Sequence, residues 1–83
     1  MVVLFPYGNI LTYTTQQIGL MVRNSRKTLG VTQRNLALTS GTGLRFINDL
    51  EHGKETCEIG KVLAVLNTLG IKVTLTAPAT KEQ

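Results

Sequence analysis

Residues 32–53 read TQRNLALTSGTGLRFINDLEHG, and the reading of this stretch decides the fold. It divides into two short helices on either side of a tight turn. Thr32 suits the first N-cap, because its hydroxyl accepts from the free amides of an opening helical turn. Leu36 and Ala37 supply a small apolar stripe, and Gly41 then provides a left-handed stop. Gly43 opens the second helix, where Leu44, Ile47 and Leu50 fall at i, i+3 and i+6 before Gly53 closes it. Two short helices joined by a Gly-containing turn of about three or four residues make a helix-turn-helix. Any helical hairpin in a small bundle has the same periodicity. Spacing alone does not separate the two.

The residue types do. Thr32-Gln33, Leu36-Ala37, Gly41, Ile47, Leu50-Glu51 and Gly53-Lys54 resemble, without a gap, the helix-turn-helix of phage-repressor-type regulators, the Cro/C1 or XRE family. That resemblance implies a mainly α, lambda-repressor-like bundle of four main helices, with the motif at the second and third. The family's base-facing positions fall on Gly43, Leu44, Arg45 and Asn48, with Asp49 beside them. Arg45 has the strongest chemistry, since a guanidinium bridges O6 and N7 of guanine. Asn48 suits an adenine or a phosphate, and Leu44 a thymine methyl. Asp49 suits a cytosine amino group, or holds Arg45 in place. Gly43 permits close approach. The resemblance also puts phosphate contacts on Gln33, at the start of the first motif helix, and after the second on His52 and Lys54; Arg34 beside Gln33 offers a second clamp, and Thr32 joins the same set. Arg26 and Glu51 resemble the family's structural ion pair, with a second role for Arg26 on phosphate left open.

Eighty-three residues make one domain, near the size at which a single core is marginal and oligomerisation is a common remedy. The formal charge of +4 is unevenly placed. Arg23, Arg26, Lys27, Arg34 and Arg45 all precede the first acid, Asp49, after which Glu51, Glu55 and Glu58 cluster. A basic half points to a polyanion, nucleic acid first and an anionic membrane face second. No stretch reaches the ~18 apolar residues of a membrane span. The start, MVVLFPYGN, lacks the basic flank and cleavage pattern of a signal peptide. The lone Cys57 allows no internal disulfide and no cysteine zinc site, and it reads as a partly buried filler. The expectation is a cytoplasmic protein that needs no metal or cofactor. An enzyme is not indicated: there is no histidine–nucleophile set, no metal-ligand spacing and no phosphate loop before a helix.

Taken in order, residues 1–12 form an arm or short strand, 13–77 the helix-turn-helix domain with its dimerisation strand, and 78–83 a flexible tail. Thr14 or Thr15 caps a helix over 15–29, with Ile18, Met21, Val22, Ser25 and Leu29 as its buried stripe. Thr56 caps a helix over 58–69 that buries Ile59, Val62, Leu63, Leu66 and Leu69. Ile71, Val73 and Leu75 then alternate with polar residues, the period of a half-buried strand. A lone strand needs a partner. The choices are residues 2–5, residues 10–13, or the same strand of a second copy about a two-fold axis, and the symmetric dimer is preferred.

From Tyr13 onward the chain is similar to HipB-type antitoxins, most closely in GLRFINDLEHGKET and IGKVLAVLNTLGI. The resemblance implies a dimeric repressor of its own operon on near-palindromic double-stranded operator DNA. It also implies a HipA-like kinase toxin as partner, with a small accessory protein in some systems. A phage-type repressor without a toxin, or an interaction protein that mainly regulates one, would share the motif. Leu38 and Phe46 stand where the family commonly has polar residues, so they mark either repacking or an apolar partner surface. Ser40 replaces a larger apolar residue, which implies looser packing of the first motif helix.

Overall fold

The computed structural model describes residues 13–79. The expected arm at 1–12 and the tail residues 80–83 lie outside the described residues. Four helices follow one another: α1 (Thr15–Thr28), α2 (Gln33–Ser40), α3 (Leu44–Glu51) and α4 (Ile59–Thr68). α3 packs against α1 and α2, and α2 also packs against α4. Val22, Leu36, Ala37, Ile47, Leu50, Val62, Val65 and Leu66 form the core between them. Every helix contributes to it, so the two motif helices have no stable position without α1 and α4.

The helix ends follow from local chemistry. Thr14 rather than Thr15 caps α1. The Gln17 amide donates to Thr14 Oγ1 at 3.1 Å, and the Thr14 amide donates to Gln17 Oε1 at 2.8 Å, a reciprocal capping box. Thr32 caps α2 by accepting from the Asn35 amide at 3.0 Å. Gly41 leaves α2 at φ 72°, a conformation that costs other residues a Cβ clash, and the Thr42 amide reaches back to the Ala37 carbonyl at 2.9 Å. Thr56 caps nothing: α4 begins at Ile59, and Glu58 holds the N-cap position without a side-chain bond.

Two expected stripes are rotated. On α1, Met21 and Leu29 face solvent, whereas Gly19 and Val22 are buried. The cause is Gly19. A Cβ there would strike the Leu50 carbonyl oxygen and lie 2.9 Å from that of Glu51. α1 therefore presses its backbone against the end of α3, and its contact face centres on Gly19, Val22 and Arg26. On α4 the buried line is Val62, Val65 and Leu66, while Ile59 (71% exposed) and Leu63 (46%) are left outside.

The C-terminal strand is a further correction. Residues 71–79 carry no regular secondary structure, and no strand occurs among the described residues. The Ile71 amide closes α4 by donating to the Leu66 carbonyl at 2.9 Å, and its side chain packs on the core. That is a helix-terminating bond with its hydrophobic contact, so Ile71 leaves the period-two register. Val73 and Leu75 stay exposed, because the described part of the chain lays no second strand beside them.

Candidate nucleic-acid interface

α3 is eight residues long and its sides are sharply divided. Ile47, Leu50 and Glu51 are buried, and Phe46 packs half-buried against the core, with the Lys61 ammonium 5.9 Å from its ring centre. Phe46 is therefore core packing. Leu44, Arg45 and Asn48 are exposed together on the opposite side. Gly43, at the N-cap, has open space where a Cβ would stand. Arg45 has no ion-pair partner among the described residues. The Asp49 carboxylate turns to Lys54 Nζ at 3.4 Å instead, so it does not hold Arg45. That pair is largely solvated, and such pairs contribute about 0–1 kcal/mol, too little to keep either member from another partner.

Glu51, the last residue of α3, ties the motif to α1. Arg26 Nε donates to Glu51 Oε2 at 2.6 Å, and a second guanidinium nitrogen donates to Oε1 at 3.0 Å. The remaining nitrogen reaches the Val31 carbonyl at 3.0 Å. With all three nitrogens engaged and the side chain 11% exposed, Arg26 has little left for a phosphate. Gln33 completes the cluster by donating Nε2 to Glu51 Oε1 at 3.0 Å. Burial pushes the Glu51 carboxyl up. The hydrogen bonds from Arg26 and Gln33, with the charges of Arg26 and Arg23, outweigh it and hold the group below the usual carboxylate range.

The predicted phosphate residues fall in two groups. Thr32, Gln33 and Arg34 lie at the start of α2, where the amides of Gln33 and Arg34 have no helical carbonyl to reach. The Thr32 hydroxyl accepts from Asn35 and keeps its own proton free to donate. Gln33 uses one amide hydrogen on Glu51 and retains the other. His52 and Lys54 follow α3, with His52 Nδ1 2.7 Å from the Asn48 carbonyl oxygen. The structure thus brings Gln33 and His52 to a common cleft, lined also by Arg23 and Glu51. Arg23 was absent from the sequence-based set. Its signal was weak, an α1 arginine four residues after a glycine. Ser40 is accommodated by hydrogen bonds, donating to the Leu36 carbonyl at 2.7 Å and meeting Thr42 Oγ1 at 2.9 Å.

No protein-family model matches the chain. A curated relative does: the chain is 49% identical over 70 residues to an uncharacterised HTH-type transcriptional regulator, y4mF, of Sinorhizobium fredii. The match takes in 84% of this chain and 92% of the relative. In a chain of 83 residues, a match of that length includes both helices of the motif. The chain belongs to the HTH-type transcriptional regulators. In this regulator α2 and α3 are the two helices over which the sequence reading places the motif. The exposed side of α3 is the side left free of core packing. No helix among its described residues is long and apolar enough to cross a membrane.

Proposed function

We propose that this regulator is a sequence-specific DNA-binding repressor that acts as a homodimer on a near-palindromic operator. The observation that carries the reading is the exposed side of α3, where Asn48 stands beside Arg45, which has no ion-pair partner among the described residues, on a helix whose other side packs on the core. Arg45 reads guanine from the major groove, Asn48 an adenine or phosphate, and Leu44 a thymine methyl, with Gly43 allowing approach. Asp49 exchanges Lys54 for a cytosine amino group where the sequence offers one. Thr32, Gln33, Arg34, His52 and Lys54 hold the backbone and set the register.

Dimerisation is part of the reading. Ile59, Leu63, Val73 and Leu75 leave an apolar surface along α4 and the chain that follows it. A groove of about 470 Å³ lined by Leu63, Leu66, Ile71 and Val73 lies there. A second copy that covers this apolar surface would bury Val73 and Leu75. Two-fold symmetry then puts the half-sites about one helical turn, ~34 Å, or a multiple apart. A place in a toxin–antitoxin operon, with a HipA-like kinase toxin, a small accessory protein and a cytoplasmic setting, rests on the sequence resemblance. Leu38, 74% exposed on α2, favours a protein contact of this kind. No catalysis, metal or cofactor enters the reading.

The test is a fluorescence-anisotropy titration on DNA from upstream of the regulator's gene, against scrambled DNA, at two salt concentrations. Preference for the upstream DNA, weakening with salt, is the expected result. Arg45→Ala should reduce that preference about 5- to 150-fold, the equivalent of about 1–3 kcal/mol for a bidentate base contact. Equal binding to both DNAs by the parent protein would refute the reading.

A further inference from the structure

We infer that Arg23, on α1, is an additional phosphodiester contact, completing an anion seat in the cleft between α1, the start of α2 and the end of α3. This inference rests on the DNA-binding reading and deepens it. The cleft, about 170 Å³, is lined by Arg23, Gln33, Glu51 and His52. Gly19, Arg23 and Arg26 share one side of α1 at i, i+4 and i+7. Because Gly19 lets that side press on the last turn of α3, Arg23 is carried to the mouth of the cleft. Its charge is close enough to help hold the Glu51 carboxyl down.

The charge balance decides what the cleft accepts. Glu51 Oε2 takes Arg26 Nε, and Oε1 takes both Arg26 and Gln33, so the carboxylate is fully engaged by its neighbours. Arg26 cancels its charge. Arg23 is exposed and has no carboxylate partner among the described residues, which leaves the lining with one surplus positive charge. The donors that remain are the Arg23 guanidinium and the second Gln33 amide hydrogen, since the His52 ring already spends its Nδ1 hydrogen on the Asn48 carbonyl. A guanidinium beside an amide donor matches a phosphate's diverging oxygens. The occupant is a DNA backbone phosphate, because the same cleft opens beside the first-turn amides of α2.

The experiment measures salt dependence of binding to upstream and scrambled DNA for four proteins: the parent chain, Arg23→Gln, Arg23→Lys and Lys27→Gln. Lys27 is an exposed cation on the same helix that does not line the cleft. Each lost phosphate contact flattens the slope of log K against log salt by about 0.9. Arg23→Gln should show that change and lose about tenfold in affinity for both DNAs alike, with only a small fall in thermal midpoint from the charge it withdraws from Glu51. Arg23→Lys should keep the slope, and Lys27→Gln should alter it by much less. Equal slopes for Arg23→Gln and Lys27→Gln, with upstream preference intact, would overturn the inference alone. A parent protein without preference would overturn the DNA-reading function as well.

Discussion

Replacing Arg26 with methionine keeps most of the side chain's apolar length but leaves the Glu51 carboxylate buried without its counter-ion. The variant forfeits the two donors to Glu51, at 2.6 and 3.0 Å, and the bond to the Val31 carbonyl. Only Gln33 continues to donate to Glu51. Breaking one side of such a pair costs about 3–5 kcal/mol, mostly because the surviving charge stays desolvated. A chain of 83 residues has a total stability of about 4–12 kcal/mol at the usual values per residue, so the loss is a large share of it. The double variant Arg26→Met/Glu51→Leu removes the stranded charge and should regain at least half of that loss, the rest being the Val31 carbonyl left without its donor. Urea unfolding followed by far-UV circular dichroism, at one fixed protein concentration, measures both variants. The pH dependence gives a second reading. In the parent protein the folded Glu51 carboxyl lies below its ordinary value, so its contribution is present above the ordinary carboxylate range and is lost as pH falls through the folded value. In Arg26→Met burial raises the same group, so the deficit should shrink as acid neutralises it. A single-variant loss under about 1 kcal/mol, the value of an exposed pair, would refute the reasoning. So would a double variant as unstable as the single.

Gly19→Ala should destabilise the fold by a net ~1–3 kcal/mol, although alanine gains about 1 kcal/mol over glycine in a helix, because the new methyl meets backbone and not a movable side chain. A thermal midpoint equal to or above the parent's would contradict the close approach of α1 and α3. If the proposed dimer forms through the groove beside α4, Leu63→Glu, which puts a charge there, should shift the sedimenting species from dimer to monomer. An unchanged mass would remove this surface from the proposed interface.

The motif was legible because its signals are local. Thr32, Gly41, Gly43 and Gly53 set helix ends by their own backbone chemistry, and the structure places α2 and α3 between them. Thr14 and Gln17 carry the same kind of local signal, a threonine and a glutamine at capping-box spacing. What sequence could not give was rotation. Helical periodicity marks an apolar side without stating which residue lies at its centre, and on α1 that centre is Gly19, which has no hydrophobicity to announce it. Val65 was missed on α4 for a related reason: apolar residues stand on several sides of the helix between Ile59 and Leu69, and they could not be ranked without knowing where α2 would lie. Alternation over Ile71, Val73 and Leu75 is a signal about pairing, and pairing depends on a neighbour that the described single chain does not supply.

Glu51 links the frame to the proposed reading surface. Its carboxylate receives Arg26 from α1 and Gln33 from α2 while its backbone ends α3. One buried group therefore fixes the end of the helix that carries Arg45 and Asn48, and also orients the glutamine proposed to hold phosphate. The proposed base and backbone contacts then share a single reference point. A change in the Arg26–Glu51 geometry would shift them together and alter how deeply the whole motif sits, whereas a change at Arg45 would alter which base is preferred without moving the frame. On the proposed reading, stability and sequence preference are separable in this domain. The separation follows from α3 committing Ile47, Leu50 and Glu51 inward while Arg45 and Asn48 remain outside.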